Sequence, residues 1–406
     1  MPRRVLILCD AFMPPMYGTR MRYLLQNLSD QWQADVACEQ VPEYPYCPPN
    51  AQVHFFHYYP KKQGLGLILW HLRWLSDKLF HTKERRFLRY LNREFRNQKI
   101  DIVLTSAYTF PLHSARRFTQ RHNIPLLLDL RDVFEQMNAS TYFTKRLPAY
   151  SLIGRKIATS YTRYLLRERN NTLAAAAAVT TVSEWHRNLL MQYNSNTHLI
   201  YNGYDDKSFV ACDTPVDRFS IVYTGRVYDR ALQDPSLLFE ALQDMPRLDN
   251  LQVDWFTDEE GRKTIQRLSQ QYGVDDLMVY HDYVQTEAVA SLLQKSSIVL
   301  VLTNKSAENG PHGVLTTKFF EALGTEKPVL CVRSDEECLA QVITETNAGL
   351  AATTSEQVEA FIKEKYAEWK QNGFTRQPVN KKTKPVFSRQ HQAKQFERLM
   401  ADILDK

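Results

Sequence analysis

The feature that most limits how this chain can fold is a regular alternation of short β-favouring runs and helical patterns, repeated in two series. The first series reads RVLILCDAF, ADVACEQ, VHFFHYY, DIVLTSA, PLLLDLRD and AVTTVSE. The second reads SIVYTGR, LQVDWFT, MVYHDYV, SIVLVLT and KPVLCVR. Buried strands separated by helices indicate βαβ units. The sequence therefore predicts an α/β fold with two mainly parallel sheets covered by helices.

The length of 406 residues, 44% of them hydrophobic, is sufficient for two domains with cores of their own. A turn-rich stretch, YNGYDDKSFVACDTPVDR, separates the two series and is the natural boundary. We predict an N-terminal domain over residues 1–205 and a C-terminal domain over 206–385. Residues 386–406 are predicted to form a closing helix that packs back on the N-terminal domain.

The compartment is indicated by the cysteines and by the N-terminal run. Six cysteines are scattered without metal-ligand spacing, which favours a reducing cytoplasm. The first apolar run ends at Asp10 without a small-residue cleavage site, so we interpret it as a strand and not a signal peptide. No uninterrupted apolar segment has the length that spans a bilayer.

The stretch GVLTTKFFEALGTEKPV carries the most specific chemistry. Gly313 permits a tight turn, and the amide groups of a helix that starts near Leu315 form an anion site to which Thr317 adds a hydroxyl. Lys318 and Glu321 leave one face of this helix, where a cation suits a phosphate and a carboxylate suits sugar hydroxyls. The alternative is an exposed Lys–Glu ion pair.

A family resemblance gives this stretch a context. Together with IVYTGRVYDR, VTTVSE and LIYNGYD, and with LILCDAFMPPMYGTRMRYLLQNL, it resembles the successive signatures of GT-B glycosyltransferases, particularly the retaining family four. The motif Lys-x-x-Glu-x-Leu, followed by Lys-Pro-Val, is similar to the motif of family members that build bacterial surface polysaccharides. The resemblance implies two Rossmann-like domains whose parallel sheets face across a cleft. It implies a nucleotide-sugar bound mainly by the C-terminal domain and an acceptor bound mainly by the N-terminal one.

The resemblance also assigns roles on the donor side. Glu321 matches the glutamate that holds the ribose hydroxyls, and Lys318 would face the donor pyrophosphate. Arg226 and Arg230 would supply further cations, because the nucleoside diphosphate leaves with negative charge. The remaining predicted donor-binding residues are Gly18, Tyr283, Val284, His312, Gly313, Val314, Leu315 and Thr317, of which Tyr283 and Val284 match the loop that reads the base.

Among the positions that depart from the family pattern, two concern the charges of the donor site. Family four commonly has two glutamates eight residues apart, but Gly313 stands eight residues before Glu321. The lysine usually found five residues after Arg226 is Ala231 here. We interpret this as a variant site.

The acceptor side is predicted from the loops of the first series. Arg131 and Asp132 follow the run PLLLDL, and Asp132 is a candidate for binding or deprotonating an acceptor hydroxyl. The alternative is that the two residues only structure their own loop. Arg20 and Tyr108 are further predicted acceptor-binding residues. No Asp-x-Asp motif, HExxH or P-loop occurs, so we expect transfer without a metal and no cofactor apart from a UDP- or GDP-linked sugar substrate.

A basic, apolar stretch near residues 65–97 suggests a further partner. Residues 61–99 contain eleven Lys and Arg against three acids. Leu65, Ile68, Leu72, Leu75 and Leu79 recur at helical spacing, so the region predicts a helix on an anionic membrane surface and a lipid-linked acceptor. The alternative is that the apolar face packs on the sheet.

These observations lead to one functional hypothesis. We predict that the chain transfers a sugar from a nucleoside-diphosphate sugar to a glycan acceptor that is linked to a lipid. The reaction would belong to capsule or lipopolysaccharide biosynthesis. It would proceed with retention, at the cytoplasmic face of the plasma membrane. The alternatives are a nucleotide-sugar epimerase of the same architecture and a non-catalytic basic protein that binds membrane or nucleic acid through a relic cleft. No nucleic-acid partner is expected, because aromatic RNA-binding motifs are missing.

Overall fold

The structure is a computed structural model that describes residues 2–11, 19–39, 51–136, 152–227, 233–303, 312–332 and 337–406. The chain forms two compact units. The first comprises residues 1–201 together with 392–406, and the second comprises residues 202–391.

The first unit contains a seven-stranded sheet in the order β3-β2-β1-β4-β5-β6-β7, in which every pairing is parallel. Its central strands are rich in leucine, valine and isoleucine and are buried on both faces, as expected for a sheet covered by helices on each side. The strands are β1 Arg3–Ala11, β2 Trp32–Glu39, β3 Ala51–Phe56, β4 Ile102–Ser106, β5 Leu126–Asp129, β6 Ala178–Thr181 and β7 Thr197–Leu199.

Helices cover both faces of this sheet. Leu6 and Leu8 of β1 belong to one core cluster, whereas Val5 and Ile7 belong to the cluster on the opposite face. The alternation follows from the two-residue period of a strand. The helices of the first unit are α1 Thr19–Asn27, α2 Leu65–Phe80, α3 Thr82–Glu94, α4 Leu112–His122, α5 Leu152–Ala175, α6 Glu184–Leu190 and α13 Arg389–Leu404.

The basic region near residues 65–97 differs from the single helix of the sequence prediction. It forms the apolar helix α2 and the basic helix α3, and His81 between them adopts a left-handed conformation with φ 53°. The apolar face of α2 does not pack on the sheet. Eight of the eleven exposed large hydrophobic side chains in the described residues lie in this helix.

The second unit contains a six-stranded parallel sheet in the order β10-β9-β8-β11-β12-β13. Its strands are β8 Phe219–Thr224, β9 Leu251–Phe256, β10 Met278–His281, β11 Ile298–Leu302, β12 Val329–Val332 and β13 Gly349–Ala352. Its helices are α7 Ser236–Asp244, α8 Glu259–Gln271, α9 Thr286–Gln294, α10 Thr317–Thr325, α11 Cys338–Thr346 and α12 Ser355–Asn372. The predicted architecture of two parallel-sheet α/β domains is confirmed.

Both sheets have the same winding. The chain goes from the first strand of each sheet to one neighbour and later crosses to the other, so β1 lies between β2 and β4, and β8 lies between β9 and β11. Such a reversal of strand order leaves a crevice at the carboxyl ends of the strands, where open α/β sheets bind their ligands. In the described part of the chain, no helix has the length and apolar character needed to cross a bilayer.

Candidate active site

The end of β8 makes a tight turn in the second unit. Gly225 has φ 114°, which side-chain-bearing residues rarely adopt, and its amide donates a hydrogen bond to the Phe256 carbonyl at 2.8 Å. The Tyr223 hydroxyl donates to the Arg226 carbonyl at 2.8 Å. These two bonds fix the Gly225–Arg226 backbone at the carboxyl edge of the sheet.

Lys318 packs directly against this turn. A Cβ atom on Gly225 would lie 2.8 Å from the Lys318 Cε and 2.9 Å from its Nζ, so the lysine occupies space that only a glycine leaves open. The Nζ also lies 5.5 Å from the centroid of the Tyr223 ring. Burial lowers the pKa of the Lys318 ammonium, and the Glu321 carboxylate acts in the opposite direction. The structure therefore brings this cation next to the Thr-Gly-Arg turn.

The start of α10 presents backbone donors next to Lys318. Thr316 precedes the helix with extended backbone, and within the described residues no side chain caps its N-terminus. Gly313, at φ 64°, makes the turn that leads into it. Unsatisfied amide groups at a helix start attract anions, because the helix dipole adds to their partial positive charge.

Glu321 lies one turn along α10 from Lys318 and is only partly accessible to solvent. Desolvation raises its pKa to about 7, while the charges of Lys318 and Arg389 oppose that rise. A carboxyl group in this setting accepts hydrogen bonds strongly when a ligand brings hydroxyl groups to it.

Arg226 and the two residues predicted to read the base lie on the neighbouring loops. The Arg226 side chain is 54% exposed, and its Nε is 3.5 Å from the Asp258 carboxylate. Tyr283, after β10, is 54% exposed, and Val284 is partly exposed beside it. The Nδ1 of His312 lies 3.4 Å from the Glu337 carboxylate. These positions follow strand ends, as the sequence predicts.

The remaining donor-side predictions are distributed as follows. Leu315 is buried, Val314 is partly exposed and Thr317 is exposed. Gly18 and Arg230 lie outside the described residues. A stacked pair that the sequence does not signal occurs at the same edge, where the His281 ring lies 4.1 Å from that of Phe256 at an interplanar angle of 8°.

Arg20 is a structural residue in the first unit. Its side chain is 1% exposed, its Nε donates to the Asp129 carboxylate at 3.2 Å, and its NH2 donates to the Ile200 carbonyl at 2.7 Å. The same carboxylate accepts from Ser106 and Thr180. This network joins β4, β5 and β6 to the segment after β7. Arg20 is buried within it and is not accessible to a ligand at the carboxyl edge of the sheet.

The loops after β4 and β5 hold the other acceptor-side predictions. Asp132 is exposed, and partial desolvation raises its pKa, opposed by Arg131 and reinforced by Asp129. The Tyr108 ring packs 4.6 Å from Phe134. Because both loops lie at the carboxyl edge of the first sheet, Asp132 and Tyr108 are accessible to a ligand bound there.

A partly buried ion cluster is the main feature that the sequence does not predict. It joins Lys83 of α3 to Asp10 at the end of β1 and to Glu39 at the end of β2. The only sequence signal for it is that both acids lie at or next to the last residue of a strand.

Similarity to known proteins was found in both family models and solved structures. Residues 18–208 match the model described as Glycosyltransferase Family 4. HepE of Anabaena, in complex with UDP, has a TM-score of 0.65 and 13% identity, covering 98% of this chain and 100% of that one. Sucrose-phosphate synthase of Thermosynechococcus elongatus has a TM-score of 0.66 and 16% identity, covering 99% of each chain. No relative was found among the curated proteins.

A third solved structure, the lipopolysaccharide outer core galactosyltransferase WaaB, has a TM-score of 0.58 and 12% identity, covering 98% of this chain and 99% of that one. The fold and the family match together define a glycosyltransferase of the GT-B class. The match over residues 18–208 makes this part of the chain similar to the family-four glycosyltransferases, the family that the motifs resemble.

Proposed function

We propose that this enzyme takes its sugar from a nucleoside-diphosphate donor, UDP- or GDP-linked, bound at the carboxyl edge of the second sheet. The observation that carries this proposal is the packing of the Lys318 ammonium against the Gly225 turn, at the start of a helix that also bears Glu321. The complexes of HepE with UDP and with UDP-glucose support a donor of this chemistry.

The roles of the donor-side residues follow from the charge that develops in the reaction. When the bond between the sugar carbon and the diphosphate oxygen breaks, the electron pair leaves with the nucleotide. Lys318, Arg226 and the first amides of α10 stabilise that negative charge, and Glu321 accepts hydrogen bonds from the ribose. Gly313 leaves no carboxylate eight residues before Glu321, so transfer with retention and without a metal relies on these cations.

The donor proposal is tested by thermal denaturation with UDP, GDP and other common nucleoside diphosphates. We expect UDP or GDP to raise the Tm of the wild-type protein and Glu321→Ala to abolish the increase with little effect on the apo protein. Glu259→Ala is the matched control, because Glu259 is an exposed helical glutamate of the same unit. If no common nucleoside diphosphate changes the Tm of the wild-type protein, the proposal is wrong.

A lipid-linked glycan acceptor is the second part of the proposal, and the exposure of α2 supports it. Leu65, Ile68 and Leu72 are 79%, 59% and 57% exposed, although large apolar side chains in a water-soluble unit are ordinarily covered. Lys61 and Lys62 precede this helix, and the Lys62 Nζ lies 4.2 Å from a Trp70 ring. An apolar helix flanked by cations and tryptophan fits the interface of an anionic membrane.

The basic helix α3 extends this surface. Arg85, Arg86 and Arg89 are all exposed on it. Each cation near an anionic bilayer contributes about 1 kcal/mol of attraction, whereas the leucines contribute through burial in the acyl region. We propose that this surface holds the enzyme at the cytoplasmic face of the plasma membrane, where surface polysaccharides such as capsule or lipopolysaccharide are assembled.

Vesicle co-sedimentation separates the two contributions. We expect Leu72→Glu/Leu75→Glu to abolish binding to vesicles of phosphatidylcholine and phosphatidylglycerol, and Arg85→Glu/Arg86→Glu/Arg89→Glu to weaken it at least tenfold. The control is Val210→Glu, at a residue that is 47% exposed but lies in the second unit. Binding that is unchanged in both multiple variants would remove the membrane proposal and leave the donor proposal intact.

A further inference from the structure

The carboxyl ends of β1 and β2 are joined by one buried ammonium. The Lys83 Nζ lies 3.0 Å from Asp10 Oδ1 and 2.7 Å from Glu39 Oε2. The lysine side chain is 11% exposed, and its Nζ lies 3.9 Å from the centroid of the Phe110 ring. Although burial acts against the charged form, the two carboxylates raise the pKa of this ammonium, so it stays a fixed cation.

The two carboxylates differ in what they offer to a ligand. The Glu39 side chain is 14% exposed, and burial raises its pKa against the opposing charge of Lys83. The Asp10 side chain is 49% exposed, although the same ammonium holds it in position. Of this pair, Asp10 is therefore the carboxylate that a ligand at the sheet edge reaches.

The cluster is continuous with the exposed helix α2. The Trp70 ring of α2 lies 5.2 Å from Tyr59, and the Lys83 Nζ lies 5.9 Å from the Tyr59 ring centroid. Asp77 in the last turn of α2 accepts a hydrogen bond from the Lys83 amide at 3.0 Å. A line of contacts therefore runs from the surface proposed to meet lipid to the half-exposed Asp10.

The position and the chemistry of Asp10 indicate a sugar-hydroxyl site. Asp10 lies near the end of β1, at the point where the strand order of the first sheet reverses. A carboxylate with one oxygen already bonded to a cation is pre-organised, so it accepts hydrogen bonds from neutral hydroxyls at a small ordering cost. An arrangement with net negative charge does not suit a phosphate group.

We infer that Asp10 binds hydroxyl groups of the acceptor sugar, and that Lys83 is the positioning residue that holds its carboxylate at the edge of the first sheet. This inference rests on the proposed function, because it assigns the sugar part of a lipid-linked acceptor to Asp10 and the lipid part to the neighbouring α2. The donor residues of the second unit are not involved in it.

Saturation-transfer NMR with methyl glucopyranoside, galactopyranoside and mannopyranoside, with and without UDP, tests the inference. We expect at least one glycoside to bind the wild-type protein and Asp10→Asn to weaken its Kd at least tenfold. Lys83→Met should weaken the Kd similarly, and Asp10→Asn/Lys83→Met should weaken it no further than Asp10→Asn, because the two residues act as one unit. Lys83→Arg should retain most of the affinity.

Glu39→Gln is the control that separates binding from structure, because Glu39 contacts the same ammonium but is largely buried. We expect it to change the Kd less than twofold even if it lowers the Tm. If Lys83→Met does not fold, Asp10→Asn and Glu39→Gln still decide the question. The inference is overturned if no glycoside binds the wild-type protein, if Asp10→Asn binds normally, or if Glu39→Gln weakens binding as much as Asp10→Asn. A UDP-induced Tm increase is measured separately, so its loss would refute the donor proposal alone.

Discussion

In each unit a lysine packs at the carboxyl end of the first strand of the sheet, but the two lysines have opposite surroundings. Lys83 meets two carboxylates, Asp10 and Glu39, whereas no carboxylate of the described ranges forms an ion pair with the Lys318 ammonium. Lys318 meets the backbone of Gly225. The pKa of Lys83 is consequently raised and that of Lys318 is lowered.

Lys83 is therefore neutralised by carboxylates of the protein, whereas Lys318 can be neutralised by an anionic ligand. A desolvated ammonium without an ion-pair partner costs free energy in the apo protein, and an anionic ligand recovers that cost on binding. Lys83 already has its anions, so the charge that remains for a ligand at its site is the negative charge of Asp10. The surroundings of Lys318 thus suit the proposed diphosphate, and those of Asp10 suit the proposed neutral hydroxyls.

Lys318→Met gives the largest expected effect on this comparison. The variant loses the cation that we propose faces the leaving diphosphate, so we expect the transfer rate to fall about 100- to 1,000-fold and the UDP-induced Tm increase to disappear. The apo Tm should stay the same or rise, because a methionine fills the site without a buried charge. Initial rates and differential scanning calorimetry measure the two effects.

Lys83→Met is the matched counterpart in the first unit. It leaves Asp10 and Glu39 without their cation, so we expect the apo protein to lose about 2–4 kcal/mol of unfolding free energy while the UDP-induced Tm increase persists. If Lys83→Met and Lys318→Met both raise or both lower the unfolding free energy of the apo protein, the contrast between the two lysines is wrong.

Gly225→Ala is expected to have the next largest effect. The new methyl group would displace the Lys318 ammonium, so we expect the Kd for UDP to rise about tenfold, as for one weakened charge-assisted hydrogen bond. Gly273→Ala is the control, since Gly273 has φ +64° and no atom within 4 Å of the added Cβ. An equal loss of UDP affinity in both variants would mean that backbone strain, and not the displaced lysine, is responsible. Isothermal titration calorimetry supplies the measurement.

Glu321→Gln has the smallest expected effect and a defined pH dependence. The folded-state pKa of Glu321 is raised from 4.5 to about 7, so the folded protein holds a proton that the unfolded chain releases. This contribution to stability is complete below about pH 4.5 and is lost as the pH rises through about 7. We therefore expect the Tm of Glu321→Gln, relative to that of the wild-type protein, to increase by a few degrees between pH 5 and pH 8. A difference that is constant with pH would contradict the raised pKa.

Much of the fold was predictable because fully buried strands give unbroken runs of leucine, valine and isoleucine. The two strands that the sequence analysis missed, β7 and β13, are only three and four residues long and lie at sheet edges. Their residues THL and GLAA carry no β-branched run that would signal a strand. The break between α2 and α3 was also missed, because His81 adopts its left-handed conformation without a glycine, proline or asparagine at that point.

The site was predictable only where its residues are close in sequence. Lys318 and Glu321 share one helix turn and one motif, so spacing was sufficient to pair them. The fit of Lys318 against Gly225 depends on a contact between distant parts of the chain. The pairing of Lys83 with Asp10 joins residues separated by 73 positions, and helical spacing contains no information about such a contact.

The place of α13 in the chain determines when the core of the first unit can be completed. Phe396 and Met400 of this helix belong to the same core cluster as Val5 and Ile7, yet about 190 residues of the second unit precede the helix in the chain. At about 5–20 residues per second, a ribosome needs roughly 10–40 s to make those residues. During that interval one face of β1 lacks its covering helix. The first unit can therefore complete its core only after the second unit has been made, and until then its incomplete core is a surface for chaperones to protect.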